Sequence, residues 1–330
     1  MHYEYIFYIK KEKMSNKQPE VYFYVPYADV LQVREDEEKY TYANGIASRR
    51  KFLKSPLNYI GGKYKLLPQL IEFFPDKINT FVDLFSGGFN VGINVDCNKV
   101  VCNDMNTFII DLYKELYSKP IDETLNKITG RINEYGLSKE NEEAFKKFRN
   151  YYNKTKEPID LYTLSCYSFN YQFRFNNNKE YNNPFGRNRS QFSDNMKSNL
   201  ILFTEKLKSM NVEFLSEPFD KVDLSKLNSE DFVYCDPPYL ITTGSYNDGN
   251  RGFKDWKEEE EIQLYKVLDE LNKRKVKFAL SNVIEHKGKE NVLLKEWSKK
   301  YKTIYLISDY SNSSYNTKRD KSIEVLIINY

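Results

Sequence analysis

Residues 232–239 read Phe-Val-Tyr-Cys-Asp-Pro-Pro-Tyr. Four apolar residues, too few for a helix, make a short buried strand that opens directly onto an acidic, proline-stiffened turn. Two earlier stretches repeat this form. Thr80 to Phe85 (TFVDLF) reads as a strand ending in Ser86-Gly87-Gly88, and Val100 to Cys102 as a second one closed by Asn103-Asp104. Further on, Lys277 to Val283 and Ile323 to Ile328 read as strands. Helical patterns lie between them. Tyr64 to Phe74 looks helical, residues 107–160 are rich in helix formers, and Leu200 to Lys208 forms another helix. In Glu258 to Lys273, Ile262, Tyr265, Leu268 and Leu271 are spaced as one apolar stripe. Strands alternating with helices predict an α/β fold on a parallel sheet.

The turn after the central strand has a definite chemistry. An aromatic amine is a poor nucleophile because its lone pair is delocalised into the ring. An acceptor for each amino hydrogen draws the nitrogen towards tetrahedral geometry and frees that pair. Asp236 offers one acceptor and the carbonyl of Pro237 the other. Pro237 and Pro238 fix φ, so the acceptors are preorganised. The ring of Tyr239 can stack on a base, and its face attracts cations.

The glycine turns suit a ligand. Gly87 and Gly88, between Phe85-Ser86 and Phe89, let a ligand approach the backbone closely. Asp83 can address an amino group, directly or through water. Asp104, at the end of the next strand, suits ribose hydroxyls. Residues 58–63 (NYIGGK) add a second turn, in which Gly61 and Gly62 stand beside Tyr59, an apolar face, and Lys63, a partner for a carboxylate. Taken singly, each of these is equally well a structural turn; their order along the chain makes the case.

Composition narrows the classes. The 330 residues are 40 % hydrophobic and 29 % charged, with net charge +3, as in a globular protein without a strong overall electrostatic bias. No apolar run approaches the roughly 20 residues of a membrane span. The start lacks the apolar core and cleavage site of a secretory signal, so a cytoplasmic protein is expected. Four cysteines (Cys97, Cys102, Cys166, Cys235) without a CxxC pair, and only two histidines, predict reduced thiols and no structural metal. Charge is concentrated locally. Residues 171–200 hold five basic groups (Arg174, Lys179, Arg187, Arg189, Lys197) against Glu180 and Asp194, with eight asparagines. Arginine and asparagine suit phosphates and base edges, so Arg174, Asn176, Asn183, Arg187 and Arg189 are candidate nucleic-acid contacts and Lys197, if it has a role, a phosphate contact, each being equally well a solvated loop residue.

With these motifs in hand, the chain resembles the Dam-like, D12 class (α-group) DNA adenine-N6 methyltransferases, which include restriction-modification enzymes. The likeness covers roughly residues 53–330 and includes Gln172 to Asn176 and Tyr181 to Gly186, similar to the family's target-recognition segment. It implies a methyltransferase-type (Rossmann-like) sheet with an inserted, mainly helical target-recognition domain. It further implies S-adenosyl-L-methionine as cofactor, double-stranded DNA with a flipped-out adenine as substrate, and a cognate restriction endonuclease as a partner. Tyr59, Lys63, Asp104 and Asp236 would touch the cofactor, within a set that also holds Gly61, Gly62, Asp83, Phe85, Ser86 and Gly87. Asp236 to Tyr239 would be catalytic. Ser314-Tyr315-Asn316 with Lys318 and Arg319 resembles the last hairpin, whose basic groups would meet the DNA backbone. Tyr59 stands where a tryptophan is common. The implied division is 1–54, an extension of open role; 55–114 and 206–330, the two parts of the catalytic domain; and 115–205, the recognition insertion.

Rival classes use similar turns. RNA and protein methyltransferases usually place the cofactor loop and catalytic motif closer together. Cytosine-N4 enzymes more often carry serine in place of Asp236, and cytosine-C5 chemistry needs a Pro-Cys pair, which this sequence lacks. A DNA-binding module on an inactive scaffold would not need Asp236, Pro237 and Tyr239 intact.

Overall fold

The computed structural model describes residues 52–242, 256–306 and 322–330, together with the backbone of two short strands, Tyr8–Lys10 and Tyr40–Tyr42, which pair antiparallel. The run Val21 to Val25 (VYFYV), whose pattern is that of a strand, most of the glycine-containing stretch Ile241 to Asp255, whose pattern is that of a loop, and Ser314 to Asn316 with Lys318 and Arg319 lie outside the described residues.

The main sheet contains β1 (Thr80–Asp83), β2 (Lys99–Asn103), β3 (Val212–Leu215), β4 (Phe232–Cys235), β5 (Lys277–His286), β6 (Lys302–Leu306) and β7 (Ser322–Ile328). Their spatial order is β3-β2-β1-β4-β5-β7-β6, and the short strand Lys289–Glu290 pairs with the end of β5. β1 to β5 run parallel to one another, with Val82 opposite Val101 on one side and Val233 on the other. All four residues of β4 are buried, as a parallel strand covered on both faces requires. One strand departs from the expected parallel sheet. β7 runs antiparallel to both β5 and β6. The sequence between β6 and β7 is polar and carries no apolar helical stripe, and an antiparallel return needs no crossover helix.

Eight α-helices are described: α1 (Leu67–Glu72), α2 (Thr107–Ser118), α3 (Ile121–Tyr135), α4 (Glu142–Thr155), α5 (Pro158–Cys166), α6 (Asp194–Lys208), α7 (Glu258–Lys273) and α8 (Val292–Ser298). Their ends follow local chemistry. Gly136 closes α3 in the left-handed region (φ 65°), where glycine carries no Cβ penalty. Asn141 caps α4 by accepting from the Ala144 amide. Ser193 caps α6 in the same way through Met196, which starts that helix six residues before the expected Leu200. The segment expected as one helix over Tyr64 to Phe74 is a 3-10 turn (Tyr64–Leu66) followed by α1.

Alternate residues of each strand serve different layers. Phe81, Phe232 and Tyr234 face one core with α2 and the helices after it, while Val82, Val233 and Cys235 face a second core under α7. Phe145, Phe148 and Tyr152 of α4 belong to the same continuous core as Phe81, so the helices between β2 and β3 have no separate interior. On α7 the buried face is Leu264, Tyr265, Leu268 and Leu271, with Glu261, whereas Ile262 is 40 % exposed. The stripe read from the sequence was therefore one residue out of phase at its start. A buried carboxylate occupies the position where an apolar residue was sought.

The strand order reverses between β1 and β4. In open α/β sheets, ligands bind outside the carboxyl ends of the strands at such a switch point. Asp83 ends β1, and Asp236 follows β4. No helix among the described residues is long and apolar enough to cross a membrane.

Leu268 is fully buried at the centre of the α7 face. Leu268→Ala should lower stability by about 2–5 kcal/mol, read as a fall in the urea midpoint at unchanged m.

Candidate active site

The turn after β1 is set by its backbone. The Ser86 amide donates to Asn103 O (2.8 Å), and Phe89 donates back to Ser86 O. Gly87 has φ 44°, and a Cβ there would lie 3.0 Å from the Tyr59 ring. Both counts favour glycine there. The Asp104 carboxylate secures this turn to the end of β2: Oδ2 accepts from the Gly87 amide and Oδ1 from the Asn106 amide, each at 2.8 Å. The Asn106 side chain in turn donates to Tyr59 Oη at 3.4 Å. Tyr59, Gly87 and Asp104, from three separate motifs, thus meet at one place.

Lys63 reaches the fourth motif. Its side chain is 5 % exposed, and Nζ lies 2.9 Å from Asp236 Oδ2. Nζ also donates to Gly61 O (3.0 Å) and sits 5.0 Å from the centre of the Tyr239 ring. Tyr239 Oη donates to Asp236 Oδ1 at 3.0 Å. A buried ammonium must be paired, so this contact is a condition of Lys63 being where it is. Burial pushes the Asp236 carboxyl above its usual range, and the Lys63 charge and the bonds from Lys63 and Tyr239 oppose that.

Asp83 is 1 % exposed and accepts from the Gly92 amide at 3.1 Å. Burial pushes its carboxyl up to about 8, against the Gly92 bond, with the negative charges of Asp236 and Asp104 adding to the rise. Burial likewise raises Asp104, against its two amide donors. Beside these carboxyls, Phe85, Phe219 and Trp256 form a half-buried aromatic cluster with ring centres 5.5–5.6 Å apart.

A family model described as D12 class N6 adenine-specific DNA methyltransferase matches residues 59–312. The chain belongs to that family. It is 56 % identical over 334 residues to the type II methyltransferase M.FokI of Planomicrobium okeanokoites, covering 99 % of this chain and 48 % of that protein. It is 55 % identical over 287 residues to the modification methylase StsI of Streptococcus sanguinis, covering 86 % and 44 %. The likeness to the DNA adenine methylase of Escherichia coli (strain K12) is 27 % over 289 residues, covering 86 % of this chain and 96 % of that one. The chain spans about half the length of the first two relatives.

In this D12 class chain the residues marked as DNA contacts are dispersed over one loop region and serve different ends. Asn183 is 2 % exposed, and its amide donates inward to Phe169 O and Gln172 O, in place of the outward contact expected. Asn176 shapes its own turn, accepting from the amides of Asn178 and Glu180. Arg187 pairs with Glu142, and Arg189 lies 4.1 Å over the Phe169 ring while donating to Asn170 Oδ1. Arg174 is half-buried, and Lys197 is exposed on the first turn of α6. This loop touches the first glycine motif directly, because Asn58 Nδ2 donates to Asn170 O at 2.6 Å.

Asn58, Asn106, Phe219 and Trp256 were not singled out from sequence. Phe219 follows an unrecognised edge strand, and Trp256 stands alone among polar residues. Only the fold brings them to the switch point.

Replacing Lys63 by Met keeps the stem and removes the charge that favours ionised Asp236. The Asp236 carboxyl should then stay protonated to higher pH, seen as an upward move of its titration in carboxyl-labelled NMR. An unmoved titration would show that the ion pair does not govern Asp236.

Proposed function

We propose that this chain transfers a methyl group from S-adenosylmethionine to N6 of an adenine flipped out of double-stranded DNA. The observation that carries this reading is the Asp236 carboxylate, held from both sides by Lys63 and Tyr239 in a proline turn at the switch point. Each carboxylate oxygen has a second lone pair, so Asp236 can still accept an amino hydrogen. The Pro237 carbonyl would take the other hydrogen, and the Tyr239 ring would stack on the base. Together they would free the nitrogen lone pair without a general base, the proton leaving after the nitrogen has bonded.

The residues present fit the cofactor. The Gly87 turn leaves no room for a side chain against Tyr59, and a donor set of two raised carboxyls, one lysine and an aromatic cluster suits an amino acid joined to a nucleoside. Asp83 would hold the amino group, Lys63 the carboxylate, Asp104 the ribose and the Phe85 side the purine. When bound, this cofactor supplies an electrophilic methyl group. The chain's own work is to desolvate the acceptor nitrogen, orient it and hold its hydrogens.

Extruding the base costs a few kcal/mol, which stacking offsets in part. Residues 115–205 would form the target-recognition insertion, with Arg187, Arg189 and Lys197 exposed for DNA, between catalytic parts 55–114 and 206–330. The names of the relatives support a place in restriction-modification; a cognate endonuclease as partner and a cytoplasmic location belong to the same proposal.

Asp236→Ala should abolish methylation. Modified-base sequencing of DNA from cells expressing the chain should show N6-methyladenine in one sequence context, absent with the variant. Methylation near the unsubstituted level in the variant, methylcytosine in its place, or modification of RNA alone would each overturn the reading. A second expectation follows from Asp83, which is largely neutral near pH 7. Pairing with an ammonium should ionise it, so cofactor binding at pH 7 should release protons. Calorimetry in buffers of different ionisation enthalpy measures this, and Asp83→Asn should reduce it.

A further inference from the structure

One ring of the aromatic cluster is hydrogen-bonded to a carboxylate of the second core. Glu261, in the first turn of α7, is fully buried. Its Oε1 accepts three bonds, from Tyr265 Oη (2.6 Å), Asn282 Nδ2 (3.0 Å) and Asn291 Nδ2 (3.1 Å). Its Oε2 accepts the indole N–H of Trp256 at 2.6 Å. The donors come from β5, the cap of α8, α7 itself and Trp256, two residues before α7. Glu261 therefore ties three elements of the second core to one half-buried ring.

A buried carboxylate is costly unless its oxygens are satisfied. Three neutral donors on Oε1 would serve a purely structural role. The fourth bond differs, because it leaves the core and fixes the plane of Trp256. That ring stands edge-on to Phe85 (5.6 Å, 81°) and 5.5 Å from Phe219. Phe85 follows β1 and Phe219 follows β3, so the two rings belong to loops at the carboxyl edge of the sheet. Trp256 is the wall supplied from the far side of the switch point. An indole free to turn about χ2 would not present one fixed surface to a planar ligand.

We propose that Glu261 is a positioning residue for the cofactor, acting through Trp256 to set the wall of the cage that takes the purine. This rests on the cofactor assignment above. It adds a residue that touches no cofactor atom and lies outside every motif read from the sequence. The role asks for an acceptor at Oε2. Glutamine keeps the volume and one acceptor for the core donors but presents an N–H where Trp256 donates.

The experiment is a double-substitution cycle on the full chain, with S-adenosylmethionine as the probe and calorimetric Kd as the readout. Glu261→Gln should weaken binding about tenfold, with the KM for DNA changed less than twofold. In a Trp256→Phe background, where no indole N–H exists, Glu261→Gln should change Kd by less than twofold. Two tryptophans are present, Trp256 and Trp297, and the Trp297 indole donates to Asp269. The NMR indole N–H of Trp256 should therefore shift in Glu261→Gln while that of Trp297 stays. Equal loss of affinity in both backgrounds, or full affinity with the Trp256 resonance unmoved, would overturn the proposal. Should Trp256→Ala and Phe219→Ala both leave Kd unchanged, the purine assignment itself falls, whatever Glu261 does. If Glu261→Gln does not fold, Asn282→Ala, which removes only a core donor, read by its Kd and its Trp256 indole resonance, together with the Kd of Trp256→Phe, separates loss of core support from loss of ring position. An unaltered Kd in Trp256→Phe would then refute the positioning role.

Discussion

A lysine ammonium withdrawn almost completely from water is the constraint on which the site is built. Lys63 cannot remain there without an anion, and its anion is Asp236, 173 positions later in the sequence. Leaving either charge alone costs about 3–5 kcal/mol. The pair therefore fixes the glycine turn before α1 against the proline turn after β4, across the reversal in strand order. Tyr239 closes the arrangement from the other oxygen. Chemistry that needs a placed acceptor obtains one here from an electrostatic necessity, before any substrate arrives.

Around that pair the same sheet gives neighbouring carboxyls different surroundings. Asp83 lies deep at the end of β1 with a single amide donor and a pKa pushed up to about 8, whereas Asp236 has a cation beside it. Asp104 does a third job: its amide bonds fix the shape of the turn that Tyr59 leans on.

Much of this was legible in the residues. Short apolar runs followed by Asp-Pro-Pro, Ser-Gly-Gly or Asn-Asp announce buried strands with ligand-facing ends, and β1, β2 and β4 lie where those runs lie. β3 was not legible, because Val212 to Leu215 is a half-exposed edge strand without clean alternation. Asn183 looked like a surface contact because polar residues in a polar loop look alike; its inward bonds depend on carbonyls at 169 and 172 that only the folded loop brings near. Glu261 misled the phase of α7 for the converse reason. Its partners come from other elements, so nothing local marks it as an interior residue. The Phe85, Phe219 and Trp256 cluster was illegible as a set, since its members are separated by more than a hundred residues in one interval and by dozens in the next.

The helices between β2 and β3 share their interior with the sheet, through Phe145, Phe148 and Tyr152 on one side and Phe81 and Val100 on the other. They are consequently not a cassette. Cutting them out would strip one face of the sheet, and grafting in a relative's helices would require that relative's strand residues as well. A protein built this way keeps exposed side chains such as Arg187, Arg189 and Lys197 outside a layer held under one packing constraint common to both parts of the molecule. Change is then easiest at single exposed side chains, and exchange of whole modules is opposed by the core itself.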